Sequence, residues 1–221
     1  MRYAAQRIVL IAVFAVLLFA AAGTLGWPRG WAYVVVLLAI EVVTLVLFAQ
    51  RAPAMLERRG HAGAGVEGFD RVFAGLYLLL GLATPVVAGL DAVRYHWSAL
   101  PSWLFWVGLA VLVPAEVFGA WAMLANEHFE QFARIQSDRG HQVVTTGPYA
   151  VVRHPGYLAA ILGALVTPLM LGSAWTFVPA GLIAALFVAR TALEDRMLRL
   201  GLPGYAEYAG RVRSRLVPGV W

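Results

Sequence analysis

The 221-residue sequence contains no cysteine, and every one of its 17 basic residues is arginine. Without cysteine the chain has no disulfide, no thiolate nucleophile and no thiolate-ligated metal. Charge is scarce too: 13% of residues carry it, against about 25% in soluble globular domains. No Gly-x-Gly-x-x-Gly run follows a strand-like segment, so nothing marks a dinucleotide-binding βαβ unit. His128, His141 and His154 stand thirteen residues apart, a spacing that matches no zinc motif, and no metal is expected.

What the chain has in abundance is apolar sequence. Hydrophobic residues make up 61% and the mean hydropathy is +0.74, which excludes an ordinary soluble domain. Runs with few or no charges cover residues 8–27, 31–49 (broken by Glu41), 72–90, 97–125 (broken by Glu116) and 155–189. Each of the first four supplies the ~20 residues that cross ~30 Å of hydrocarbon. The first exceeds a signal-peptide core and no small-residue cleavage site clearly follows it, so a cleaved leader is not expected. The last is too long for one span, and Gly172 and Ser173 interrupt its middle, where a turn costs least. It is read as two antiparallel helices over 157–171 and 175–199. The fold class is therefore all-α and integral to the membrane, with about six spans. The chain is one membrane domain: spans one to three in 1–100, and a core with the C-terminal helical hairpin in 101–221.

Arginine orients the chain. With the N-terminus in the cytoplasm, only Arg29 and Arg94 fall on the outer side and the other 15 arginines lie inside, a strong positive-inside asymmetry. Both termini are expected in the cytoplasm, in a bacterial inner membrane. The same asymmetry accounts for the net charge of +5 without a nucleic-acid partner.

The outer connections are short, so polar chemistry collects on the cytoplasmic side, in residues 51–70 and 126–156. The second stretch reads as two short strand-like runs around the turn Ser137-Asp138-Arg139-Gly140. Counting 1.5 Å per residue down and back up the final hairpin returns the chain to its starting height near Arg190. Arg190 and Glu194, four apart and on one helix face, therefore meet Arg153 and His154. Each group has an ordinary explanation: interfacial anchors, a solvated ion pair, a proline in a first helical turn. Their convergence is what points to a site. Glu41 and Glu116 lie at similar depth, about 15 Å below the cytoplasmic helix ends. Each is either a protonated carboxyl bonded between helices or part of a substrate cavity. Pro85 and Pro114 are expected to kink their helices and open a lateral gap.

The sequence GPYAVVRHPGY (147–157), an apolar helical hairpin, R-x3-E-D-x2-L from Arg190 and Y-x2-Y-x3-V from Tyr205 occur in that order. This arrangement resembles the isoprenylcysteine carboxyl methyltransferase and phospholipid methyltransferase superfamily of membrane enzymes, over about residues 115–217. The resemblance implies methyl transfer from S-adenosylmethionine at the cytoplasmic face. It implies a cofactor pocket of Gln136, His141, Gln142, Val143, Val144, Tyr149, His154, Pro155, Gly156, Tyr157 and Glu194. It places Arg190 toward the acceptor.

The residue types suit that cofactor. A carboxylate pairs with an ammonium, aromatic faces suit a cation or adenine, and His154 offers a ring nitrogen. A carboxylate acceptor needs no general base and would be held by Arg153 and Arg190 through paired hydrogen bonds. The expected partner is a lipidic or prenylated acceptor within membrane lipid. An amine acceptor, as in phospholipid N-methylation, would need Glu127, His128 or Glu194 as base. The remaining alternatives are a reductase on a related scaffold and a non-catalytic scaffold or transporter-associated protein.

Overall fold

The computed structural model describes residues 2–59, 67–130, 132–136 and 140–221, with the side chains of Arg2, Glu57, Arg58 and Arg59 excepted. The described residues form eight α-helices in order: α1 (Arg2–Ala22), α2 (Pro28–Arg51), α3 (Pro53–Arg59), α4 (Gly68–Gly89), α5 (Leu104–Ala125), α6 (Pro155–Leu171), α7 (Phe177–Gly201) and α8 (Tyr205–Arg211). A π-helical turn, Leu90–Tyr95, extends α4, and a 3-10 turn, Gly147–Ala150, precedes α6. The fold is all-α, and the described residues contain no strand.

Among the described residues, five helices are long and apolar enough to span a membrane: α1, α2, α4 with its π extension, α5 and α7. The sixth expected span, α6, has 17 residues and reaches only about 26 Å. The terminal hairpin appears where expected, with its turn at Gly172, whose φ of +82° suits a residue without Cβ. Pro85 and Pro114 leave α4 and α5 as unbroken helices.

Small residues let α5 and α6 pack most extensively. A Cβ on Gly108 would collide with Met170, and one on Gly119 would come within 3.0 Å of Ala159. The main core joins Leu18, Phe19, Trp27, Tyr33, Leu112, Val166, Met170 and Leu171. At one end of the bundle Arg29 donates to the carbonyls of Leu100, Leu169 and Met170, tying three connections together. Exposed Trp31, Tyr95, Trp97, Trp103, Trp106 and Trp175 are the aromatic types that membrane interfaces favour.

The expected hairpin of strands in 126–156 is absent from the described residues, and Ser137, Asp138 and Arg139 of its turn lie outside them. Side chains take the place of a ladder. Asp70 accepts the N–H of Ala133, His141 Nδ1 that of Gln136, His128 Nε2 that of Gln142 and Asn126 Oδ1 that of His128. Backbone donors without a neighbouring strand must find such acceptors.

Candidate active site

At the end of the bundle opposite the Arg29 clamp, a cavity of about 760 Å³, counting its open mouth, lies among the 126–157 segment, the end of α7, and α8. All eleven residues expected around a cofactor line it, from Gln136 and His141–Val144 through Tyr149 and His154–Tyr157 to Glu194.

Local sequence builds each wall. Gly147 takes φ +58°, and a Cβ there would sit 3.2 Å from the Trp121 indole; this permits the turn that presents Tyr149. Asn126, just past α5, donates to the Tyr149 hydroxyl at 3.2 Å, and the Tyr208 hydroxyl donates to the Tyr149 carbonyl at 2.7 Å. Pro155 opens α6, where a missing N–H costs nothing. One turn of that helix stacks the His154 and Tyr157 rings, 5.5 Å apart and 10° from parallel. The Tyr157 hydroxyl donates to Glu194 across the hairpin.

Two buried carboxylates brace the site. Asp195 is 1% exposed. It accepts from Arg153 Nε at 2.7 Å, Tyr205 at 3.0 Å, Arg199 at 3.0 Å and Arg215 at 3.1 Å, with His154 Nε2 at 3.7 Å. Asp70 pairs with Arg190, Nε to Oδ1 at 2.8 Å and Nη2 to Oδ2 at 3.0 Å. The C-terminal segment closes the wall: the carbonyls of Ser214 and Arg215 accept the N–H groups of Arg153 and His154.

Burial, then the neighbouring His128, pushes the pKa of His141 down to about 4, which leaves Nδ1 free of a proton to accept the Gln136 N–H. Burial drives the Tyr208 hydroxyl up to about 12. Burial and the adjacent Asp195 carboxylate raise that of Tyr205 further. Both stay protonated donors at neutral pH.

The two arginines expected to hold an acceptor carry different loads. Arg153 is 3% exposed, and besides Asp195 its Nη1 donates to the carbonyls of Val212 and Arg213, both at 2.7 Å. It is a strut in the cavity wall. Arg190 lies outside the cavity lining, on the far side of Tyr157, with its guanidinium 4.9 Å from that ring and 4.4 Å from the Phe73 ring.

Glu41 and Glu116 do not reach the cavity lining. Glu41 pairs with Arg7 of α1 at 2.8 Å, and the Glu116 carboxylate rests against Gly163 of α6. Sequence reasoning passed over Asp70, Asn126 and the bracing role of Asp195. Tyr205 and Tyr208 were visible as a paired motif without a role.

A pocket for S-adenosylmethionine needs a carboxylate for its ammonium, and apolar and aromatic walls for its sulfonium and adenine. Glu194, the rings of Tyr149, Tyr157 and Phe129, and the apolar side chains of Val143, Val144 and Leu198 meet those requirements.

Comparison with known proteins matches residues 106–200 to the isoprenylcysteine carboxyl methyltransferase (ICMT) family. One protein the chain is similar to is protein-S-isoprenylcysteine O-methyltransferase B of Arabidopsis thaliana, 27% identical over 55% of this chain and 61% of the relative. Another is a probable protein-S-isoprenylcysteine O-methyltransferase of Oryza sativa subsp. indica, 32% identical over 50% of this chain and 60% of the relative. The chain is also similar to the cobalt-zinc-cadmium resistance protein CzcN of Cupriavidus metallidurans, 40% identical over 35% of this chain and 36% of the relative. The alignments with the two plant relatives span 60–61% of those proteins' own length.

Proposed function

We propose that this protein is an S-adenosylmethionine-dependent methyltransferase that esterifies the carboxylate of a prenylated or otherwise lipidic acceptor at the cytoplasmic face of the membrane. The observation that carries the reading is the convergence of all eleven expected cofactor residues, from two distant stretches, on one cavity at the head of an apolar hairpin. The names of the plant relatives favour a prenylcysteine acceptor.

When bound, S-adenosylmethionine supplies an electrophilic methyl group on a positively charged sulfur. The protein's own contribution is placement and charge. Glu194 pairs the cofactor's ammonium, and the Tyr157 hydroxyl, donating to Glu194, fixes the carboxylate's direction. The Tyr149 ring offers an electron-rich face to a cation. Arg190, beyond Tyr157, attracts the acceptor's carboxylate by paired hydrogen bonds. A carboxylate is already the nucleophile at neutral pH, so no side chain need remove a proton. The acceptor oxygen gains the methyl as the carbon–sulfur bond breaks, leaving a neutral thioether and a methyl ester. Arg153, which lines the cavity, and Asp195 keep the wall rigid.

Incubating the purified protein with tritiated S-adenosylmethionine and host membranes tests this. Label in a lipidic or protein fraction, released as methanol by mild base, is expected. Base-stable label on an amine would move the assignment to N-methylation. Binding of NADPH without binding of S-adenosylmethionine would refute the methyltransferase reading.

A further inference from the structure

We propose that Asp70, in the N-terminal half of the chain and outside the family match, is the positioning residue for Arg190 and couples it to the cofactor loop. The proposal rests on the methyl-transfer reading above and extends it to a residue that the family match, residues 106–200, does not include.

Asp70 sits in the first turn of α4, where a carboxylate commonly stabilises its own helix dipole. Its hydrogen bonds lead elsewhere. The side chain is fully buried, and Oδ2 accepts both the Ala133 N–H at 2.6 Å and Arg190 Nη2 at 3.0 Å. Arg190 Nε stands 2.8 Å from Oδ1. Ala133 lines the cofactor cavity, and the Glu67 N–H donates to its carbonyl at 3.4 Å. One carboxylate oxygen thus joins the loop over the cofactor to the arginine on the acceptor side.

The aromatic neighbours of Arg190 set the plane of its guanidinium. Phe73 and Tyr157 place rings 4.4 and 4.9 Å from it, and ring faces tolerate rotation within the plane. The Nη2 hydrogen bond to Oδ2, with Nε held against Oδ1 by charge, restricts that freedom. A shift of the loop on cofactor binding reaches Arg190 through the shared oxygen, so cofactor and acceptor should bind with linked affinities.

The test uses the full-length protein in lipid nanodiscs, tritiated S-adenosylmethionine, and N-acetyl-S-farnesylcysteine as acceptor or, where that is not taken, the labelled membrane fraction. Asp70→Asn keeps an oxygen for the Ala133 N–H but loses the charge that orients Arg190. Its cofactor Kd should stay within about threefold, while the acceptor KM rises at least tenfold with kcat changed less. In an Arg190→Gln background, Asp70→Asn should add no further loss. The double variant leaves no uncompensated charge, so it also serves where the single variant folds poorly: it should bind cofactor and keep the raised KM. Wild-type turnover in Asp70→Asn, wild-type KM in the double variant, or losses that multiply across the pair would each overturn the coupling. If the wild type itself transfers no label to any acceptor, the methyl-transfer reading fails and the proposal falls with it.

Discussion

Replacing Asp195 by alanine should both destabilise the protein and abolish cofactor binding. The carboxylate is the common acceptor for Arg153, Tyr205, Arg199 and Arg215, and its side chain and that of Arg153 are each 1% exposed. Removing one partner of such a buried pair leaves an uncompensated charge and costs about 3–5 kcal/mol. Arg199 and Arg215 are 42% and 30% exposed, so their separate contributions are small, on the order of 1 kcal/mol or less. Against a total stability of about 5–15 kcal/mol, and at about 2–4 °C per kcal/mol for a chain of this size, the thermal midpoint should fall by roughly 6–20 °C. Tryptophan fluorescence during heating in nanodiscs measures the midpoint, and calorimetric titration with S-adenosylmethionine measures the pocket. Replacing both partners with apolar residues, Arg153→Met with Asp195→Leu, should destabilise less than Asp195→Ala, because no charge is then left buried alone. A midpoint within 2 °C of wild type together with normal cofactor affinity for Asp195→Ala would refute the bracing argument.

Glu194 contrasts with its neighbour: Glu194→Gln should leave the midpoint within about 2 °C and weaken S-adenosylmethionine at least tenfold, the size expected for a lost charge-assisted hydrogen bond. His141 predicts a pH dependence. Its folded pKa, about 4, lies below the unfolded value of about 6.5. The unfolded chain therefore binds the proton first, and stability that is complete above about pH 6.5 is lost progressively as the pH falls toward 4. Midpoints recorded from pH 8 to pH 4.5 should show that decline, with a shallower slope in His141→Asn, whose amide oxygen can still accept the Gln136 N–H. Removing Arg7 should strand Glu41 inside the bundle: Arg7→Ala should cost about 3 kcal/mol, the lower end for a broken buried pair because Arg7 is half-exposed, and Arg7→Ala with Glu41→Gln should recover most of it in the same thermal assay.

The pocket was legible because its residues sit close together in sequence. Residues 136–157 contribute ten of the eleven lining side chains that were expected, and α-helical rise along the hairpin was enough to bring Glu194 back to them. The strand reading of 126–156 failed for a reason that no local pattern carries. The β-rich composition was present, but the donors of that segment are met by Asp70, His128, His141 and Asn126. The arginines show the same limit. Arg153 and Arg190 look alike in sequence, both beside an apolar run at the same membrane face. What separates them is a partner 42 residues away for one, Asp195, and 120 residues away for the other, Asp70.

Composition and period by themselves determined that this chain is a helical membrane protein with a terminal hairpin and a polar face, because apolar length and arginine asymmetry answer directly to the bilayer. The order of its motifs determined which residues gather around the cavity. Only the tertiary structure decided which carboxylates are braces and which faces the cavity. That choice depends on which buried charge each long side chain reaches, and a buried charge is stable only where the fold supplies its partner.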